Sequence, residues 1–172
     1  MRTWAAIWAI SFLTLPAISM PASDWKPYKY PELGFAIELP APPEVFQRPI
    51  ATGGGRCPST ILTLAQGGDN TLQITVVDCS TRDMSSKVLE NEESHRKGAL
   101  VVAKSAGAEI TSEIEVNIQG AKGQQYTGQN VEKGYPFKCL MLVSGKRIYQ
   151  IVAIGSLADL KREVKSLNFR VK

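Results

Sequence analysis

Histidine and cysteine are scarce in this sequence, with one His and three Cys among 172 residues. A single His leaves little room for a histidine-based zinc site, and three Cys cannot make a Cys₄ site. Three Cys are also too few for a cysteine-stapled miniprotein, and 14 Gly and 10 Pro are too few for a low-complexity chain. The composition therefore indicates one compact globular domain, because the chain is too short for two full-sized ones.

The sequence also lacks an apolar run of the roughly 20 residues that a membrane-spanning helix needs. Residues 4–15 form a shorter apolar run that follows Arg2 and precedes Pro and small residues, as in a secretory signal peptide. We predict a signal peptide over residues 1–22, cleaved somewhere in 19–23, and a single domain over 23–172 in the periplasm or outside the cell. A retained N-terminal anchor is the alternative. The net charge of +4 is too mild to indicate nucleic-acid binding.

The cysteines give a geometric signal. Two alternating runs around a Gly-rich turn indicate a β-hairpin. If pairing is symmetric about Gly68, the aliphatic side chains gather on one side and Cys57 lies directly opposite Cys79, within the distance that a disulfide accepts. We predict a Cys57–Cys79 bridge, worth about 3 kcal/mol on the chain-entropy model. Three unpaired buried thiols are the alternative, and Cys139 is expected to be a small core residue.

The first half of the domain carries further strand and helix signals. Alternation predicts a strand over residues 35–39 and turn residues predict a loop over 50–55. A helix is predicted from about residue 87 to 104, because several N-cap candidates precede it. The helix should cover a sheet from outside, since its apolar stripe is thin: Val88, His95, Ala99 and Val102.

The second half predicts a four-stranded meander and a closing helix. Strands are predicted over residues 109–118, 124–130, 137–143 and 147–154, and the last two should be central because they are apolar on both faces. In the first of them one side is apolar: Ile110, Ile114, Val116 and Ile118. A capping box starts a helix over 156–167, followed by Phe169 as an anchor. Its core-facing residues are Leu157, Leu160, Val164 and Leu167.

This order of elements resembles the PsbP/Mog-like family. The resemblance covers residues 30–169 and rests on a Gly34-Phe35 start, a strand containing Tyr149 and a terminal helix ending near Phe169. At that end the chain has Ser-Leu-Asn-Phe where the family has Ser-Phe. The resemblance implies an α+β fold, with an antiparallel sheet of about six to seven strands flanked by helices in an α/β/α sandwich. Family members include extrinsic photosystem II subunits, a Ran-binding protein and exported bacterial proteins of unknown role, so it implies a partner-binding scaffold without shared catalytic residues.

Motifs for chemistry are few. The run from Gly53 to Arg56 lacks the residues of a phosphate-binding loop, and a flexible loop is expected. His95 with a Ser or Cys139 would be needed for a nucleophilic hydrolase, but a His that lines the sheet is the simpler interpretation. Three acidic residues on one exposed strand face either hold a divalent cation or are merely solvated: Glu109, Glu113 and Glu115.

Aromatic residues near the start of the domain are the best candidates for partner contact, namely Trp25, Tyr28 and Tyr30. The alternative is that they pack against the sheet edge. The sequence thus favours an exported, non-catalytic accessory or binding protein of the cell envelope that engages a protein, lipid or small ligand. We predict no catalytic, metal or cofactor site. A Ser/Cys–His hydrolase and a structural subunit of an envelope complex remain as alternatives.

Overall fold

The computed structural model describes residues 25–52, 55–65, 70–81, 89, 91–155 and 168–169. The elements with defined bounds among these residues are nine strands, the helix Glu92–Ser105 and a 3₁₀ turn at Pro31–Leu33. The bounds are β1 Lys26–Tyr30, β2 Phe35–Leu39, β3 Glu44–Thr52, β4 Gly55–Ala65, β5 Thr71–Asp78, α1 Glu92–Ser105, β6 Ala108–Ile118, β7 Ala121–Asn130, β8 Pro136–Ser144 and β9 Arg147–Ile154.

Seven strands form one antiparallel sheet in the order β3-β4-β5-β9-β8-β7-β6. Strands β6 to β9 pair consecutively, as the predicted meander requires, and β8 and β9 lie in the interior of the sheet. Their central residues are mostly buried on both faces, which explains why these strands are mainly apolar. The architecture is α+β, mostly antiparallel sheet with one described helix.

The two-stranded hairpin β1–β2 covers one face of the sheet, which we call the hairpin face. Phe35, Ile37 and Leu39 alternate inward from β2 and pack against the aliphatic side chains of β4, β5, β8 and β9. The predicted α/β/α sandwich would have helices on both faces of the sheet. On this face the described layer is a hairpin instead, and the predicted helix over 156–167 lies outside the described residues. Phe169 meets Tyr149 edge to face, with ring centroids 4.8 Å apart.

Helix α1 packs on the opposite face, which we call the helix face. Its N-cap is Asn91, whose side chain accepts a 2.9 Å hydrogen bond from the Ser94 amide. A helix was predicted from residue 87 to 104. Helix α1 begins only at Glu92, and residues 87, 88 and 90 lie outside the described residues. Ala99 and Ala103 are buried against Tyr126 and neighbouring residues of β8, because their small side chains let the helix approach closely.

The disulfide prediction is confirmed together with its register. Leu62 pairs with Ile74 and Ser59 with Val77, as symmetry about Gly68 requires. Cys57 and Cys79 are bridged, with their Cα atoms 5.2 Å apart.

The predicted loop over residues 50–55 is wrong in part. Strand β3 continues to Thr52, and β4 begins at Gly55. Most of β3 is exposed, so it carries no inward alternation that would mark it as a strand. Its proline, Pro49, is compatible with an edge strand, because an edge strand has one side on which no N–H is needed.

The predicted apolar side of β6 is also corrected. A bulge lies between Ile110 and Ser112. One extra residue moves the side chains after it to the other face. Consequently Ile110 packs with the helix-face cluster, whereas Val116 packs with the hairpin-face cluster. Ile114, between them, is 50% exposed.

Two glycines of β7 lie where neighbouring strands come very close. A Cβ at Gly123 would overlap the backbone carbonyl of Met141 in β8, and a Cβ at Gly128 would overlap that of Glu109 in β6. Backbone atoms of paired strands cannot move aside as a flexible side chain would. Both positions therefore require glycine.

Candidate functional site

A cleft of about 550 Å³ opens on the helix face beside the first two turns of α1. Its apolar lining comes from the sheet and from the segment before the helix: Ile50, Val77, Leu89, Met141 and Ile148. Uncharged polar side chains interrupt this lining: Thr52, Thr75, Ser94, His95 and Gln150. A half-enclosed space that is mainly apolar, with a few polar groups, has the general character of a small-molecule site.

The position of α1 explains why the cleft exists. The helix packs on β6, β7 and β8, at one side of the sheet, and the cleft lies next to it over β5 and β9. Gly98 lines the cleft from the helix, and its missing side chain leaves space there. A Cβ added at Gly98 would meet only the Met141 methyl group, at 3.8 Å. The disulfide supports the same region, because Cys57 and Cys79 pack with Val77 and Leu89.

His95 is the most unusual residue of the cleft. It is 5% exposed, and burial lowers its pKa, although a hydrogen bond to the Leu89 backbone and the charge of Glu92 oppose that shift. Its Nε2 is the one buried side-chain nitrogen or oxygen without a hydrogen-bond partner in the described part of the chain. The ring is therefore neutral near pH 7 and has an unused polar atom.

A second cavity, of about 450 Å³, lies on the other side of His95. It is polar, since its lining includes Glu92, Glu115, Lys122 and Gln124. Gln124 is itself buried and accepts a 2.6 Å hydrogen bond from the Tyr126 hydroxyl. His95 thus forms a wall shared by an uncharged cleft and a charged cavity.

The aromatic candidates Trp25, Tyr28 and Tyr30 lie far from this cleft in the fold. All three are half-buried, and Tyr28 and Tyr30 pack into the hairpin-face cluster. Tyr30 stacks on Phe35, with ring centroids 5.2 Å apart. Partner contact through these residues stays a prediction, and they do not form one site with His95.

Cys139 shares the helix face with His95 but lies in the packed core. It is fully buried beside Ala99 and Ala103, and burial raises the pKa of its thiol to about 12. At neutral pH such a thiol is almost entirely protonated, so it is a poor nucleophile. The geometry gives no support to a Cys139–His95 hydrolase.

The remaining motif candidates are not brought together into a site. Among the described residues no three His, Cys, Asp or Glu side chains are grouped in a way that would hold a metal ion. Glu113 instead forms an exposed 3.5 Å ion pair with Arg96. Gly53 lies outside the described residues, and Arg56 belongs to β4.

Comparison with known proteins identifies the fold but no family. No family model matches the sequence, and no curated protein matches it. The structure is similar to that of the cyanobacterial PsbP protein CyanoP from Synechocystis sp. PCC 6803, with a TM-score of 0.56 and 12% identity over 90% of this chain and 96% of that one. A protein of unknown function from Pseudomonas aeruginosa matches with a TM-score of 0.34 and 14% identity over 80% of this chain and 86% of that one.

The likeness to CyanoP supports a PsbP-like fold and nothing about function, because the identity is low. Within the described residues no helix is both long and apolar enough to cross a membrane.

Sequence reasoning singled out His95 but missed the rest of the cleft. Thr75 and Gln150 are paired neighbours on β5 and β9, where polar residues interrupt otherwise apolar strands. Gly98 interrupts the predicted helix at its centre. Polar residues in central strands and a glycine within a helix were thus the sequence features that could have indicated the cleft.

Proposed function

We propose that this chain is an exported, non-catalytic accessory protein of the cell envelope that binds a small ligand in the cleft beside α1. The observation that carries the proposal is the buried, unpartnered Nε2 of His95, a residue that lines a mainly apolar cleft. Buried polar atoms are nearly always satisfied, so a ligand group that donates a hydrogen bond to this nitrogen would be stabilised.

The disulfide is the first observation that supports export. A disulfide persists in an oxidising compartment and is rare in a reducing cytosol. The Cys57–Cys79 bridge fits a protein that functions outside the cytoplasm. The apolar residues 4–15 after Arg2 supply the corresponding export signal.

Export is tested by N-terminal sequencing of protein recovered from the envelope fraction of cells that express the full chain. We expect a form that is cut before Trp25. An intact Met1 form recovered from the cytosol would contradict the proposal.

Ligand binding is tested by filling the cleft. Gly98→Leu places a side chain in the space beside Met141, and Val101→Leu makes a change on the exposed side of the same helix. Both variants and the parent protein are purified from the envelope under native conditions, and small molecules released on unfolding are identified by mass spectrometry. We expect one compound in the parent and in Val101→Leu but not in Gly98→Leu.

Fold integrity of Gly98→Leu is checked by a cooperative unfolding transition. Absence of any stoichiometric compound from the parent protein would contradict binding in the cleft, as would equal amounts in both leucine variants.

A further inference from the structure

We propose that the ligand of the cleft is an uncharged molecule with an apolar body and a hydroxyl or N–H group that donates a hydrogen bond to Nε2 of His95. This inference rests on the proposed function and adds the chemical class of the ligand. It follows from the charge of the lining, the state of the imidazole ring and the size of the space.

The described part of the lining disfavours a charged ligand on energetic grounds. No Asp, Glu, Lys or Arg is among the described residues that line the cleft. A carboxylate or ammonium group moved there would lose its hydration without gaining an opposite charge. The charged residues nearby, such as Glu115 and Lys122, face the other cavity. Thr52, Thr75 and Gln150 supply only neutral polar contacts.

The ring of His95 determines which hydrogen-bonding group the ligand presents. Its hydrogen bond to the Leu89 backbone uses Nδ1, because Nε2 has no partner. A backbone carbonyl only accepts, so Nδ1 carries the proton of the neutral ring. Nε2 is consequently an acceptor with a free lone pair. Nε2 is buried, so a small turn of the ring toward the cleft is needed before a ligand reaches it. A ligand hydroxyl or N–H then satisfies it, whereas a carbonyl or ether oxygen of the ligand would not.

The space suits a compact ligand rather than a peptide segment. A volume of about 550 Å³ lies within the range of small-molecule pockets. The lining side chains contributed by Ile50, Leu89 and Met141 offer dispersion contacts to an apolar ring system or a short aliphatic chain.

A matched pair of fluorescent probes tests the ligand class. N-phenyl-1-naphthylamine is uncharged and has one N–H group, and 8-anilino-1-naphthalenesulfonate is the same molecule with an added sulfonate. Both become brighter in apolar surroundings, so titration of the purified protein gives a dissociation constant for each. We expect saturable binding of the neutral amine, at least about tenfold tighter than that of the sulfonate.

Two substitutions at His95 test the hydrogen bond. His95→Gln carries an amide near the position of Nε2, whereas His95→Asn carries one near Nδ1 and has nothing at Nε2. We expect His95→Asn to weaken binding of the neutral amine about three- to tenfold, and His95→Gln to retain it within about twofold. 1-Benzylnaphthalene, which has no N–H, should bind equally to both variants, so a general loss of structure would be distinguished from loss of the acceptor.

The outcomes separate the two proposals. Equal affinity for the amine and the sulfonate, with both lost in Gly98→Leu, would overturn the ligand class while cleft binding stands. Loss of 1-benzylnaphthalene in parallel with the amine in His95→Asn would overturn the role of Nε2. Saturable binding of neither probe, or binding unaffected by Gly98→Leu, would overturn the proposed cleft function itself.

Discussion

The two faces of the seven-stranded sheet differ in how completely they are packed. On the hairpin face, Phe35, Ile37 and Leu39 are fully buried in one continuous apolar cluster. On the helix face, α1 covers one side of the sheet and leaves a cleft that contains neutral polar groups and the unpartnered His95. The comparison indicates that the covering hairpin is closely packed on its face, whereas the cleft proposed as the binding site lies beside the helix on the other.

A polar clasp reinforces the hairpin face. The Arg147 guanidinium donates from Nε to Asp78 at 2.9 Å and from an Nη nitrogen to the backbone carbonyl of Glu32, also at 2.9 Å. The Tyr149 hydroxyl donates to the Leu33 carbonyl at 3.0 Å. These bonds tie the 3₁₀ turn between β1 and β2 to the sheet. On the helix face, Arg96 of α1 pairs with Glu113 of β6 at 3.5 Å, and the Asn130 side chain donates to the carbonyl of Ala106 after the helix at 2.7 Å.

The largest expected effect is on the hairpin face. Phe35→Ala should lower the free energy of unfolding by about 3 to 5 kcal/mol, because it leaves a cavity in a fully packed cluster. Phe46→Ala removes the same atoms from a side chain that is 53% exposed, and should cost less than about 0.5 kcal/mol. Denaturant unfolding measures both. Similar losses in the two variants would contradict the close packing of the hairpin on this face.

The second effect concerns the disulfide below the cleft. Replacing Cys57 and Cys79 together by alanine should cost about 3 kcal/mol, since the bridge joins residues 22 apart in sequence. The measurement is denaturant unfolding without a reducing agent. As a covalent check, alkylation of the unfolded, non-reduced protein should label Cys139 alone. Three labelled thiols, or a bridge that includes Cys139, would contradict the assignment.

The clasp should give a smaller, pH-dependent effect. Burial raises the pKa of Asp78, but hydrogen bonds from Ser80 and Arg147 outweigh it, so the pKa is lowered overall. A lowered folded-state pKa stabilises the protein above the unfolded value of about 3.9, and this stabilisation is lost as pH falls through the folded value. Asp78→Asn should therefore cost about 1 kcal/mol at pH 7, because both side chains of the pair are only about a quarter exposed.

As pH falls below the unfolded value of about 3.9 the cost of Asp78→Asn should shrink, because the parent carboxylate becomes protonated as pH passes through its lowered folded-state pKa. Glu93→Gln is the control, since Glu93 forms an exposed 3.3 Å pair with Lys97 and should change stability by less than about 0.5 kcal/mol. A cost of Asp78→Asn that does not vary with pH would mean that its charge is unimportant for the clasp.

The smallest effect is a gain on the helix face. Gly98→Ala should stabilise the protein by about 0.5 to 1 kcal/mol, because alanine favours the helix and its Cβ meets only the end of Met141. Thermal and denaturant unfolding measure the gain. A loss of stability would show that the wall of the cleft is already closely packed at this point.

Sequence alone was sufficient for the parts of the fold that local pattern controls. The register of the cysteine hairpin could be predicted because one symmetric pairing both gathered the aliphatic residues and opposed Cys57 to Cys79. The bounds of β9 were also predicted, since its residues are bordered by a tight turn and a glycine.

The errors arose where neighbours determine the outcome. The β6 bulge is one residue long, so it leaves the period-two pattern intact while it reverses the face of the later residues in the strand. Strand β3 is held by pairing with β4 rather than by burial of its own side chains. The cleft depends on where α1 is seated over the sheet, which the periodicity of a helix does not specify.

The two glycines of β7 limit how far this sequence can diverge. Gly123 and Gly128 each face the backbone of an adjacent strand at a point where no side chain fits. Homologous sequences can change at the solvent-facing positions of the strand. A substitution at either glycine would force the adjacent strands apart, and selection for folded protein should remove it. In a saturation library selected for folded protein, these codons should remain almost unchanged while their neighbours vary.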